Sequence, residues 1–299
     1  MILISRASKV LITLAAVGLA AAAMAEEREP PRAGTLEAYT FSAESSHQWK
    51  LPDKLNEISG LALSDDQRLF AVTDESAIVY ELDYADGRLV KAFALGDPVV
   101  RGDFEGIAWF DGRLWLVTSQ GRIYAFDEGE DGERVPFDSF DTGLGNSCEI
   151  EGLAYRRDDQ ALLVLCKAIK RDSGLTGLAI FAWSTIGHAL MDEKAIALPD
   201  RDIVTALRTD RLNPSGIAIE EKTGNLLIVA ARQRAIIELD AGGGFLSARV
   251  LPLASRHRQA EGIEILQTGE LLIADEGGAH KGRLAIYRPD DLRFTDIDE

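Results

Sequence analysis

Soft and imidazole ligands are scarce in this chain, which has two cysteines, four histidines and three methionines in 299 residues. The histidines, His47, His188, His257 and His280, share no metal-binding spacing, which argues against a histidine-built zinc or copper centre. Positive charge is also short. Thirty-two Lys and Arg face 49 Asp and Glu, a net charge of −17, so a phosphate backbone is repelled and nucleic acid is excluded as a partner. No G-x-S-x-G, phosphate-loop or dinucleotide fingerprint is present; "AGGGF" at Ala241 lies between strand-like runs and reads as a turn.

Long apolar runs are missing with one exception. Arg6 and Lys9 precede 16 residues from Val10 to Ala25, which end in Ala-Met-Ala before Glu26. This is the pattern of a secretory signal, and it falls short of the roughly 20 apolar residues that span a bilayer. The expectation is a signal peptide over 1–25, a polar lead-in over 26–35, and a single domain over 36–299 exported to the periplasm. Retention as an inner-membrane anchor through residues 10–25 is the alternative, and membrane contact is expected only in that case. No cysteine near the cleavage point offers a lipid attachment site. Loss of Arg6 and Lys9 leaves 30 basic against 49 acidic residues, a charge of −19.

What is present is a repeat. "EISGLAL" begins at Glu57, "DFEGIAW" at Asp103, "EIEGLAY" at Glu149, "NPSGIAI" at Asn213 and "QAEGIEI" at Gln259. The shared glycines, Gly60, Gly106, Gly152, Gly216 and Gly262, are spaced by 46, 46, 64 and 46 residues, one period with a single insertion of 18. Each phrase leads through a short turn into a second apolar run ("RLFAVTD", "RLWLVTS", "ALLVLCK", "NLLIVAA", "ELLIADE"), then a third, and a weaker fourth such as "RLVKAFAL". Four strands in about 46 residues is one propeller blade and leaves no room for helices between strands.

The fold expected is therefore all-β, a five-bladed β-propeller of four-stranded antiparallel blades beginning near 57, 103, 149, 213 and 259. "LEAYTF" at Leu36 is expected to supply the outer strand of the last blade and close the ring, with "DLRFTDI" at the C-terminus competing for that place. The insertion falls in blade 3, around "IKRDSGLTG" and "DRDIVTALRTDR", the latter compatible with a short helix. Trp109, Trp115, Phe126 and Trp183 fall on strands and read as core.

The first strand of each blade lines the central channel, so equivalent residues at its start converge on one axis. One residue before each glycine stand Ser59, Glu105, Glu151, Ser215 and Glu261; three before stand Glu57, Asp103, Glu149, Asn213 and Gln259. Residues two apart share a side of a strand, so the columns predict stacked rings of oxygen atoms. Crowded carboxylates are relieved by a cation, and an all-oxygen donor set suits calcium. The expected ligands are Glu57, Glu105, Glu151, Asn213 and Glu261. The competing reading has these acids capping backbone N–H groups with no metal.

The phrases "NEISGLALSDDQRLFAVTDES", "DFEGIAW", "CEIEGLAY…LLVLCK" and "LLIADEGG", running through residues 55–287, resemble the SdiA-regulated family. The resemblance implies an NHL-like five-bladed propeller with a calcium site. The family's name records regulation by a quorum-sensing transcription factor and implies no chemistry.

Cys148 and Cys166 bracket the first hairpin of blade 3, and two readings stay open, a disulfide or two buried thiols. No catalytic residue is assigned. His257 and His280 flank blade 5 and would reach the channel mouth as a general base, while Asp74 and the pair Asp275–Glu276 read as turn or supporting residues on the same rim. The functional expectation is a monomeric calcium-binding propeller that acts as a binding or scaffold module for an envelope protein or small-molecule ligand. The alternative is a metal-dependent hydrolase of lactonase, esterase or phytase type. A phosphatase would gather bases around the acids, from Arg101, Lys167, Arg232 and Arg258.

Overall fold

In the computed structural model, residues 35–171, 173, 177–252 and 256–292 are described; the expected signal segment, all but the last residue of the lead-in, residues 172 and 174–176 of the blade 3 loop, 253–255 and the end of "DLRFTDI" lie outside them. Five sheets are present, one per repeat phrase. Their innermost strands are Ile58–Leu63, Phe104–Phe110, Cys148–Arg156, Gly216–Ile219 and Ala260–Ile265, each paired antiparallel with the apolar run that follows it in sequence. Second strands such as Leu69–Thr73, Leu226–Ala230 and Leu271–Asp275 are buried along their whole length. A blade lies on each side of them, so they read as continuous apolar runs. Alternation appears towards the rim, where Arg88–Leu95 begins with exposed and half-buried residues in turn.

The recurring glycine is what lets five strands close on so narrow an axis. A Cβ at Gly216 would lie 2.1 Å from the Glu261 carbonyl oxygen, and one at Gly106 would lie 2.6 Å from the Leu153 amide nitrogen. At these two positions a side chain would push neighbouring blades apart, whereas at Gly60 and Gly152 the nearest atoms stand 3.1 Å away. Apolar side chains fill the gaps between blades, as where Phe70, Phe93 and Val79 of blade 1 meet Phe104, Leu116 and Phe126 of blade 2.

The ring closes through the N-terminus, but not through the expected residues. Ser46–Lys50 pairs antiparallel with Arg283–Tyr287, in register from Ser46 opposite Tyr287 to Lys50 opposite Arg283. "LEAYTF" instead opens with a 3-10 turn, Thr35–Ala38. Its apolar residues Leu36 and Tyr39 are three apart, the spacing of one face of a helical turn rather than of a strand, and both are buried against blades 4 and 5. The fully buried Glu238 carboxylate accepts from the Leu36 amide at 3.1 Å and from Asn225 Nδ2 at 2.8 Å, tying the segment down. Two further features were not expected: Arg134–Val135 adds a fifth, parallel strand to blade 1, and the outer strand of blade 3 is only Ile196–Ala197. The insertion does contain a helix, Asp200–Leu207.

Candidate cation site at the channel mouth

Glu105, Glu151 and Glu261 stand one residue before the glycines at the starts of their strands, where the blades converge. Glu151 is buried and the other two are partly so. Burial pushes Glu261 up to about 8, with Glu276 and Glu151 adding to the rise and Gln259 and Lys167 opposing it. Glu105 and Glu151 are raised by burial too; for Glu105 the charges of Glu151, Asp103 and Glu261 add to it. Each carboxylate is thus held near others in a place with little water, and ionising all three together is unfavourable.

Lys167 is the base that bears on all three. Its Nζ donates to Glu151 Oε1 and lies 3.9 Å from Glu149 Oε1. A disulfide between Cys148 and Cys166, both fully buried, fixes this arrangement by joining the residue before Glu149 to the residue before Lys167. The sequence had left that pairing open.

The outer column behaves differently. Glu57 is exposed and forms a second acidic group with Asp74 and Glu276. Asp74 is raised to about 6 by burial and by the charge of Glu57, and its Oδ1 is buried without a hydrogen-bond partner. Gln259 joins the groups, its Nε2 donating to Glu261 Oε1 at 2.8 Å and to Glu276 Oε2. Asn213 Oδ1 is likewise buried and unpartnered.

Two members of the expected oxygen ring serve the fold instead. Ser59 Oγ donates to the Phe104 carbonyl and Ser215 Oγ to the Ala260 carbonyl, each at 2.7 Å, fastening one blade to the next. Nor does His257 reach the mouth. It is 1% exposed, with Nδ1 2.7 Å from Asp275 Oδ2 and Nε2 2.7 Å from the Tyr287 hydroxyl, so both ring nitrogens are committed inside blade 5. Asp275 is buried in that relay, and the exposed His280 is held through its amide by Gly277. Of the four bases considered for phosphate, Arg101 hydrogen-bonds Ser76 at 2.7 Å with a largely exposed side chain, and Arg232 and Arg258 are exposed, which leaves Lys167.

The donor chemistry fits a hard divalent cation: several carboxylates short of positive charge, and an amide oxygen, Asn213 Oδ1, with nothing to accept. As arranged, no three His, Cys, Asp or Glu among the described residues form a ligating set, and Lys167 holds Glu151.

The profile of the SdiA-regulated family matches residues 32–280. The chain belongs to the SdiA-regulated family. Among solved structures, the glutaminyl cyclase of Myxococcus xanthus superposes with a TM-score of 0.54 at 15% identity, covering 81% of this chain and 95% of that one. A luciferin-regenerating enzyme superposes at 0.51 with 11% identity, covering 83% and 97%. At such identities the likeness is one of fold. No helix among the described residues is long and apolar enough to cross a membrane.

Proposed function

We propose that this propeller is an exported calcium-binding module that recognises an envelope protein or a small molecule, with the cation held at the channel mouth by Glu105, Glu151 and Glu261, and by Glu57 and Asn213 from the outer column. The observation that carries the reading is the crowding of partly buried carboxylates around one ammonium, Lys167. Lys167 would give up Glu151 to a divalent ion, which would supply the charge that the cluster lacks. The ion's chemical contribution when bound is to hold the starts of several blades together and to present a Lewis-acidic centre. The side chains around it position the ion; none is placed as a general base, because His257 is committed to Asp275 and Tyr287.

Calorimetric titration with calcium, together with thermal melts before and after chelation, tests this. Stoichiometric binding with a raised melting temperature is expected. Absence of binding with an unchanged melt would reduce the acids to structural caps. The hydrolase reading is separated by the Glu105→Gln, Glu151→Gln double variant in excess calcium: turnover of lactone, ester or phosphate substrates by the parent and not by the folded variant would establish it.

A further inference from the structure

At the other end of the innermost strands the repeat breaks its own rule. Two residues after the glycine, four blades carry alanine, Ala62, Ala108, Ala154 and Ala218, and the fifth carries Glu264. Three residues after it stand Leu63, Trp109, Tyr155, Ile219 and Ile265, and all five line a cavity of about 230 Å³ that Glu264 also lines. Four residues of strand separate Glu105 from Trp109, about 13 Å along the channel. Between them the aliphatic residues that follow the glycines, Leu61 to Ile263, leave only about 10 Å³, room for a single water. The cavity is therefore a compartment separate from the acidic mouth.

Its walls combine aromatic surface with an excess of acid. Trp109 stacks on Phe70 with centroids 5.4 Å apart, and its indole N–H donates to Asp65 Oδ2 at 3.2 Å. Tyr155 stacks on Phe110 at 3.8 Å. Phe70 and Phe110 thus brace the two rings from outside the cavity, and Asp65 holds Trp109 from its wall. Five carboxylates and three bases line it; Arg156 is bidentate to Asp159 at 2.9 and 2.6 Å, and Arg157 pairs with two of the five lining acids, Asp65 at 2.5 Å and Glu221 at 3.4 Å, which leaves Asp158, Glu220 and Glu264. Lys222 is the third base. Glu264 has no cation beside it among the described residues; burial raises its carboxyl to about 8, the main-chain amide of Ile265 opposes the rise, Glu221 adds to it and the Leu63 amide opposes it, so a cation bound beside it would draw off its proton. Alanine meets every need of the fold at this position in the other blades, so the carboxyl there adds a desolvation cost that packing does not require.

We propose that this cavity binds a small organic cation, a protonated amine or quaternary ammonium on an apolar or aromatic body, with its charge at Glu264 and its body against Trp109 and Tyr155. Aromatic walls with an acid are how proteins hold such ions, and the lining disfavours anions. A cavity of about 230 Å³ has room for a small single-ring amine.

Phenethylamine and phenyltrimethylammonium serve as probes, with 2-phenylethanol and phenylacetate as neutral and anionic counterparts, titrated by calorimetry into the full chain, into Glu264→Gln and into Glu264→Ala. At least one cationic probe is expected to bind one to one, roughly tenfold or more tighter than the alcohol, with no binding of phenylacetate. Both variants should lose that preference by a similar factor. Glu264→Ala restores the alanine of the other blades and should melt no lower than the parent, so loss of binding there is not loss of fold. Failure of both cations to saturate at millimolar concentration, equal binding of the alcohol, or unchanged binding in Glu264→Gln would each overturn the proposal. Glu105→Gln leaves this binding unaltered, which keeps its outcome apart from that of the calcium site.

Discussion

Lys167 donates a hydrogen bond to Glu151, and the two lie 16 residues apart on neighbouring strands of one hairpin, immediately after the cysteine and the isoleucine that face each other in its register. The ammonium occupies a place that a divalent ion would compete for. Lys167→Met keeps the length of the aliphatic stem and removes the charge. Without metal it should lower stability by about 1–3 kcal/mol, since the buried Glu151 carboxylate loses its partner. Calcium affinity should rise by about tenfold, because no ammonium has to be displaced. A calorimetric titration showing unchanged or weaker calcium binding would contradict the competition.

The pH dependence of the metal-free protein follows from the same acids. Glu105, Glu151 and Glu261 have folded pKa values raised above the unfolded carboxylate near 4.3. A raised group contributes stability that is fully present below the unfolded value and is lost as pH rises through the folded one. In chelator, the melting temperature should therefore decline from about pH 5 towards pH 8, the value to which Glu261 is raised, and beyond. Carboxylates that act in the opposite sense, such as Asp65 beside Arg157 and Glu128 beside Arg68, exert their effect at acid pH, below this window. Replacing the three glutamates by glutamine should flatten the slope, and saturating calcium should restore the parent's melt most at high pH. A parent and triple variant with parallel profiles would show that the acids do not interact as described.

Much of this was legible in the sequence because a propeller repeats. The glycine spacing located all five innermost strands, and the columns beside it marked Glu105, Glu151 and Glu261. What the columns concealed was that identical positions do different work: Ser59 and Ser215 fasten blades, and Glu57 lies outside the inner group. The closing strand was missed because Ser46–Lys50 stands alone, without a repeat partner, and its apolar anchor is a single tryptophan, Trp49. His257 escaped because its partners, Asp275 and Tyr287, come from later strands. Glu264 was visible in "QAEGIEI" as the one departure from alanine, and needed only the comparison two residues past the glycine.

Gly216→Ala should be among the most damaging single substitutions in the chain. The added methyl would meet the Glu261 carbonyl oxygen at 2.1 Å, and that atom is backbone of the next blade. Either blade 5 shifts or the domain fails to close; a loss of about 3 kcal/mol or more is expected. Gly112→Ala is the control. Nothing lies within 4 Å of its Cβ, and its φ of +75° carries only the strain of a left-handed residue, about 1 kcal/mol. Equal melting temperatures for the two variants would refute the close-approach argument.

The Cys148–Cys166 disulfide ties stability to the proposed cation site. It closes a loop across a sequence separation of 18, which by chain entropy stabilises the domain by about 3 kcal/mol. The bond also joins the backbone next to Glu149 to the backbone next to Lys167, in a stretch where the strand register shifts between Glu149 and Leu153. Replacing both cysteines by alanine should lower stability by about 2–4 kcal/mol, seen as an earlier midpoint in denaturant with little change in slope. If the disulfide only stiffens the unfolded chain, calcium affinity stays as in the parent; if it positions the acids, affinity falls together with stability. The second outcome is expected, because the register shifts twice in this part of the hairpin and the sulfur bridge spans that irregularity.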